Sequence, residues 1–280
     1  MKNWKKFALS TAITLLGVSV LVACGNSSEK EDSSKKTTIV LATDADTKPF
    51  TYSDDGKITG YDIEVARAVF KKLPQYDLKI EVTDFSAVMT GLDTGKYHIG
   101  ANDIGYNDER AEKYYFSYPI SESTYAVATR DGDKVSKLAD LAGKKTELVP
   151  GTNYTQILEN WNKKNPQEKV IINYADQVPL PTRLGNIESK KSDFLLYDSI
   201  SLNTVIKEQG LDLQVNPIDL QSDDKHSGDE YFVFTKDEEG KKLQKEVDKA
   251  LHDLEKDGSL KKLSEEFFKG DYVPASEDFK

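Results

Sequence analysis

The residues best suited to chemistry lie in one stretch, Asn102-Asp103-Ile104-Gly105-Tyr106-Asn107-Asp108-Glu109-Arg110. Its arginine is one of only four among the 38 basic residues of a 280-residue chain. An arginine just past a strand, beside a loop of small and polar residues, suits a planar anion such as a carboxylate. Its guanidinium holds both carboxylate oxygens at once, which a lysine ammonium does not. The competing use of Arg110 is a helix-surface ion pair with Glu109 or Glu112.

Two other places offer complementary chemistry. Gly151-Thr152-Asn153 follows a strand and opens a helix, where free amide hydrogens attract an anion. Simple capping by Thr152 or Asn153 is the commoner meaning of such residues. Asp198 ends another strand; it either caps the next helix or points a carboxylate into a cleft. Acid–base catalysis by Asp44, Asp103, Glu109 and Asp198 is the enzymatic alternative. No Gly-x-Ser-x-Gly nucleophile motif accompanies them, and no phosphate-binding glycine loop is present. His98, His226 and His252 lack ligand spacing, so neither metal nor cofactor is expected.

The elements that must position these residues alternate. Thr38–Ala42 reads as a buried strand, and Asp54-Asp55-Gly56-Lys57 as a hairpin turn. Asp62 and Ser86 read as caps of helices that lead to the strands Leu78–Val82 and Ile99–Ala101. Asn107 reads as the cap of the helix carrying Arg110. A second series follows: strands at Tyr125–Thr129, Thr146–Val149, Val170–Tyr174 and Asp193–Tyr197, with helices between them. Gln221–Glu230 is a charged connection, and Tyr231–Phe234 one more strand. Leu243, Val247, Leu251 and Leu254 then stripe a helix, and Ser259 caps a last one. Such alternation predicts open α/β sheets, whose ligands sit outside the carboxyl ends of the strands.

The amino terminus sets the address. Lys2, Lys5 and Lys6 precede an uncharged run, Phe7–Ala23, with the pattern of a signal peptide (1–23). The only cysteine, Cys24, follows Leu21-Val22-Ala23. A lone cysteine makes no internal disulfide, so the core must hold the fold. Asn26–Lys36 has no apolar residue and reads as a disordered tether (24–37). The chain carries −10 (38 basic against 48 acidic residues); removing the three signal lysines leaves −13. That charge argues against a nucleic-acid partner.

Taken together, the pieces resemble the type II solute-binding lipoproteins of polar amino-acid ABC importers. They are Ala42-Thr43-Asp44 with Pro49-Phe50, Gly60-Tyr61-Asp62-Ile63, Phe85-Ser86, Asn107-Asp108-Glu109-Arg110 before Phe116-Ser117, Leu141-Ala142-Gly143-Lys144, Gly151-Thr152, Asp193 with Asp198, and Asp257-Gly258-Ser259-Leu260. The resemblance implies a two-lobed periplasmic-binding-protein-like α/β fold with two hinge crossovers and a cleft between lobes. Lobe 1 would comprise 38–122 and 229–280, and lobe 2 would comprise 123–228.

By resemblance, Arg110 clamps the ligand α-carboxylate, helped by Gly105 and Thr152, and Asp198 takes the α-ammonium. Phe50 and Phe85 line the side-chain pocket, with Asp44 and Asn102 at its polar edge and Asn153 beside Thr152. Thr47 stands where many relatives carry a stacking aromatic, and Asn102 and Gly105 replace common hydroxyl residues. Asn102-Asp103, Tyr106-Asn107 and Pro150–Tyr154 look most like the cystine-binding branch of Gram-positive bacteria. The implied protein is not an enzyme. It is a monomer held on the outer face of the cell membrane by a lipid (palmitate) anchor on Cys24. It captures a polar amino acid, cystine foremost, and serves an ABC permease and its ATPase subunits. A dehydratase on the same fold and a surface adhesin are the alternatives.

Overall fold

The computed structural model describes residues 36–175, 178–220 and 228–280. The expected signal segment, Cys24, nearly all of the tether and residues 221–227 of the charged connection lie outside the described residues.

Two five-stranded mixed sheets organise the chain. The first runs in the order Tyr76–Val82, Thr37–Thr43, Ile99–Gly100, Val233–Thr235, Tyr114–Phe116. Its first three strands are parallel; Val233–Thr235 returns antiparallel between Ile99–Gly100 and Tyr114–Phe116. Parallel neighbours need crossover helices. Here they are α1 (Tyr61–Lys71) and α2 (Phe85–Asp93), and the shorter α3 (Asp108–Lys113) follows. The second sheet runs Ile171–Tyr174, Lys145–Leu148, Phe194–Asp198, Tyr125–Arg130, Leu213–Pro217. Helices α4 (Asn153–Lys164), α5 (Leu180–Glu188) and α6 (Ser199–Gln209) connect it. The chain then returns to the first sheet and ends in α7 (Glu238–Lys256) and α8 (Ser259–Phe268).

Each sheet has its own core. Leu41, Ile63, Val69 and Phe234 pack with the α7 stripe Leu243, Val247, Leu251 and Leu254. Val127, Leu148, Leu184 and Leu196 centre the other core. The chain crosses between sheets at Ser121–Glu122 and Asp229–Glu230, and these two segments pair with each other antiparallel. This is the two-lobed α/β arrangement implied by the resemblance. Each lobe has its own core, and the two crossover segments that join them are paired strands of two residues each.

Several local readings change. Gly60, not Asp62, occupies the cap position of α1; Asp62 lies in the first turn, buried, and its carboxylate accepts the Asp103 N–H at 3.0 Å. A long-range partner outcompeted the local cap. Asp84 precedes α2, so Ser86 lies inside it, and Gly258 at φ 77° precedes α8, so Ser259 is its first residue. Tyr114–Phe116 and Leu213–Pro217 are strands that the sequence pattern did not flag. The first is three aromatics directly after a helix; the second is an edge strand closed by proline, where period-two alternation is short.

Candidate ligand-binding cleft

A cavity of about 870 Å³, measured out to its open mouth, lies between the lobes at the carboxyl ends of strands from both sheets. Asp44, Phe85, Asn102, Gly105 and Arg110 line it from the first lobe, and Thr152, Asn153 and Asp198 line it from the second. Phe50 is not among the lining residues, which corrects its expected place. Its ring is fully buried in the first core, 4.9 Å from Phe268. The turn that carries it is pinned by Phe50 N–H to Thr47 O and by Asp62 N–H to Phe50 O, beneath α1. Phe85 and Thr47 both line the cavity.

One wall is a closed hydrogen-bond network. The Asn102 side-chain carbonyl accepts from Thr43 Oγ1 at 3.0 Å, Asp44 N at 2.7 Å and Thr51 Oγ1 at 3.1 Å. Its amide donates to Asp44 Oδ2 at 2.8 Å, and Thr47 Oγ1 donates to the same oxygen at 2.8 Å. Thr51 Oγ1 also lies 2.8 Å from Asp44 Oδ1. The side chain of Asn102 thereby joins the ends of two neighbouring strands.

Arg110 stands at the mouth of this wall. Asn107 Oδ1 accepts its backbone N–H at 2.8 Å, the expected cap. The guanidinium is buried; Nη1 donates to Gly105 O at 2.8 Å and Nη2 to Gly151 O at 2.9 Å, across the lobes. It lies 5.7 Å from the Phe85 ring centre. Burial lowers its pKa to about 10, so it stays charged at neutral pH. The surface ion pair is not formed: Glu109 pairs instead with Lys113 at 3.1 Å. Among the described residues, two of the five guanidinium N–H donors are thus used.

The opposite lobe meets Arg110 closely. Asn153 donates from Nδ2 to Tyr106 O at 3.1 Å and accepts from Asn107 Nδ2 at 2.7 Å. A Cβ on Gly105 would come within 2.5 Å of Asn153 Nδ2, so the missing side chain at Gly105 is what admits Asn153. Thr152 does what a cap does: its hydroxyl accepts Thr155 N–H at 3.3 Å and donates to Val149 O at 3.0 Å.

The floor is acidic and differently satisfied. Asp198 caps α6 through Oδ1, which accepts Ser201 N–H at 2.7 Å; its buried Oδ2 has no partner among the described residues. Asp198 is thus a helix cap that also lines the cavity. Burial pushes its pKa up to about 6. Asp103, at φ 50°, accepts Tyr154 Oη–H at 2.9 Å and is hydrogen-bonded to Glu230. Burial first, then repulsion from neighbouring carboxylates, holds both Asp103 and Glu230 well above the ordinary range. Glu230 also accepts from Ser121 Oγ through Oε2. Asp62 beneath them is raised to about 7 by burial.

Sequence reasoning missed Glu230, Arg183 and Tyr154 as cleft residues. Glu230 was one acid in a charged connection. Arg183 sits one residue before the apolar Leu184, and nothing local marks which way it faces. Asp103 was within the opening stretch, yet only the left-handed backbone turns it into the floor. Among the described residues no group of His, Cys, Asp and Glu side chains is arranged to hold a metal.

An acid-floored cleft with a buried arginine, set between two hinged α/β lobes, defines a binding protein for a small zwitterion. The chain belongs to the bacterial extracellular solute-binding proteins, family 3, whose family model matches residues 39–270. It is similar to the probable amino-acid-binding protein YxeM of Bacillus subtilis, 35% identical over 277 residues and 97% of each chain. It is also similar to the L-cystine-binding protein TcyJ of the same organism, 30% identical over 94% of this chain and 96% of the relative. A solved structure, from work on glutathione import in Gram-positive bacteria via GshT and the cystine ABC importer TcyBC of Streptococcus mutans, superposes with a TM-score of 0.82. It is 38% identical and covers 87% of this chain and 100% of its own. The family and these relatives bind solutes.

Proposed function

We propose that this protein captures a polar amino acid outside the cell, cystine foremost, by closing its lobes over the ligand, without turning it over. The observation that carries the reading is the unpartnered Oδ2 of buried Asp198 in the cavity that also holds the Arg110 guanidinium. A buried carboxylate oxygen without a donor is costly until an ammonium supplies one. Arg110 would clamp the α-carboxylate and Asp198 the α-ammonium, with Glu230 beside it. Asn102 and Asp44 would hold the wall against which the side chain lies.

The magnitudes are coherent. A micromolar site requires about 8 kcal/mol. Hydrogen bonds to charged groups give about 1.5–3 kcal/mol each, so the two head-group contacts supply roughly half. The rest comes from burial of the ligand. Arg110 and Asp198 belong to opposite sheets, so a zwitterion that touches both favours the closed form over the open one. We assign 38–122 with 229–280 to one lobe and 123–228 to the other, hinged at the paired crossovers. We further propose a lipid anchor on Cys24 behind the signal segment and tether, a monomeric state, and delivery to an ABC permease with its ATPase subunits.

Glutathione is the second ligand reading, favoured by the 38% identity to the chain from the glutathione-import work. Its γ-glutamyl end carries the same α-carboxylate and α-ammonium. Calorimetry of the purified protein against the polar amino acids, cystine and glutathione tests both. Saturable one-to-one binding of cystine supports the first reading. Binding of glutathione alone moves the assignment to the second. Binding of neither, with turnover of an amino-acid substrate instead, favours the enzymatic alternative.

A further inference from the structure

Arg183 is a second buried arginine of the same cavity, and nothing assigned so far uses it. It is only 5% exposed, and its Nε has no hydrogen-bond partner. Its guanidinium carbon lies 5.4 Å from the Tyr197 ring centre, and Tyr197 is itself stacked on Tyr154 at 4.3 Å. The side chain is therefore braced by an aromatic face, with no ion pair among the described residues. A buried guanidinium with an unfilled donor costs free energy in the empty protein. Arg110 cannot stand in for it, because Arg110 enters from α3 of the first lobe while Arg183 enters from α5 of the second.

Around Arg183 the charge pattern of the head-group site repeats. Asp44 and Asp46 line the same cavity, and Asp46 feels both the Asp44 charge and the Arg183 charge. A single small amino acid held by Arg110 and Asp198 leaves this second cation unused.

We propose that the cleft takes a two-ended ligand bearing two carboxylates, and that Arg183 holds the second one, at the end remote from Arg110. This rests on the head-group reading given above and extends it. Two ligand classes present the chemistry: a disulfide-linked pair of amino acids, which also brings a second ammonium for Asp44 or Asp46, and a γ-linked peptide ending in a free carboxylate.

Calorimetry with matched probes tests it on the intact protein. Cystine is compared with the cysteine–cysteamine mixed disulfide, which lacks only one carboxylate. Glutathione is compared with its glycine ethyl ester, and S-methylcysteine reports the single head group. The wild type should bind one dicarboxylate parent roughly 30-fold more tightly than its partner lacking the second carboxylate, the worth of one charged hydrogen-bonded contact. The pair that shows this gap identifies the ligand class. Arg183→Met should close the gap to within about 3-fold, and Arg183→Lys, which keeps the charge without the fork, should narrow it only partly.

A wild-type gap below about 3-fold in both pairs overturns the proposal, as does a gap that Arg183→Met leaves intact. Binding of S-methylcysteine without any gap defeats this inference alone. Binding of none of the five probes defeats the head-group reading and this one with it. If neither variant folds, the wild-type comparison within each pair still decides.

Discussion

The two sides of the cleft solve opposite problems. On the Asp44–Asn102 side, Asn102 ties the ends of two strands together and the carboxylate of Asp44 accepts from three side chains. On the floor and far side, Asp198 Oδ2 and Arg183 Nε are buried and have no partner among the described residues. Buried polar groups are almost always paired, because an unmade bond costs about 1–3 kcal/mol. The first side is thus scaffolding that holds strand ends in register. On the proposed reading, the second keeps its bonding capacity for a ligand. The difference then separates residues that shape the cleft from residues proposed to grip, although both kinds line the same cavity.

The sharpest way to break that division is Arg110, which belongs to both sides. Arg110→Lys should weaken amino-acid binding about 100-fold, or about 2.7 kcal/mol, since the fork to Gly105 O, Gly151 O and a carboxylate cannot be rebuilt on one ammonium. Unchanged affinity by calorimetry would remove Arg110 from the gripping set. The converse holds for the scaffold. Asn102→Leu strands the Thr43 hydroxyl and Asp44 N–H donors and should cost about 2–4 kcal/mol of stability, lowering the melting temperature by roughly 5–10 °C. A melting temperature within a degree of wild type would show that the network relaxes around the gap and does not shape the cleft.

Asp198 gives a smaller and more selective effect. Asp198→Asn keeps the helix cap. It should weaken zwitterions about 10–30-fold while simple carboxylates lose less than 3-fold. Equal losses for both would reduce Asp198 to a cap. The ligand-free variant should be no less stable than wild type at neutral pH. The sign follows from the raised pKa: protonated Asp198 favours the folded state below about 3.8, and that contribution is lost as pH rises through about 6. An amide, which never ionises, is spared the loss.

The smallest effect is the pH dependence of binding. An ammonium needs the ionised carboxylate, so below about 6 binding must expel a proton. Affinity should fall about 10-fold between pH 7 and pH 5, and Asp198→Asn should flatten most of that slope. Asp46, raised to about 6 by partial desolvation first and by Asp44 beside it, titrates in the same range. A slope that survives in Asp198→Asn would reassign the dependence to Asp46.

Much of this was legible before any coordinates. The alternation of strand and helix, the Asn107 cap, the strand-end position of Asp44, Asn102 and Asp198, and the rarity of arginine all read directly from local pattern. Local pattern suffices there because periodicity and capping involve neighbours within one turn or one strand. The family resemblance brought Arg110 and Asp198 together across 88 positions of chain, which local pattern does not do. Phe50 shows the limit of that step: an aromatic beside a proline at a strand end looks like a pocket wall until the packing of α1 and α8 claims it for the core.

Local pattern carried the α/β class, the order of elements, and the position of a scarce arginine at the start of one helix. Which polar atoms are paired and which are not, among the described residues, follows from folding. Asp62 reads as a cap and instead anchors the Asp103 amide; Glu230 reads as a charged loop residue and instead floors the cleft; Arg183 reads as an ordinary helix residue and instead faces the ligand space. Hydrogen-bond satisfaction depends on partners far apart in the chain, 109 residues for Ser121 and Glu230. No local window contains such a pair, so the division between scaffold and grip exists only once the two lobes are folded and facing each other.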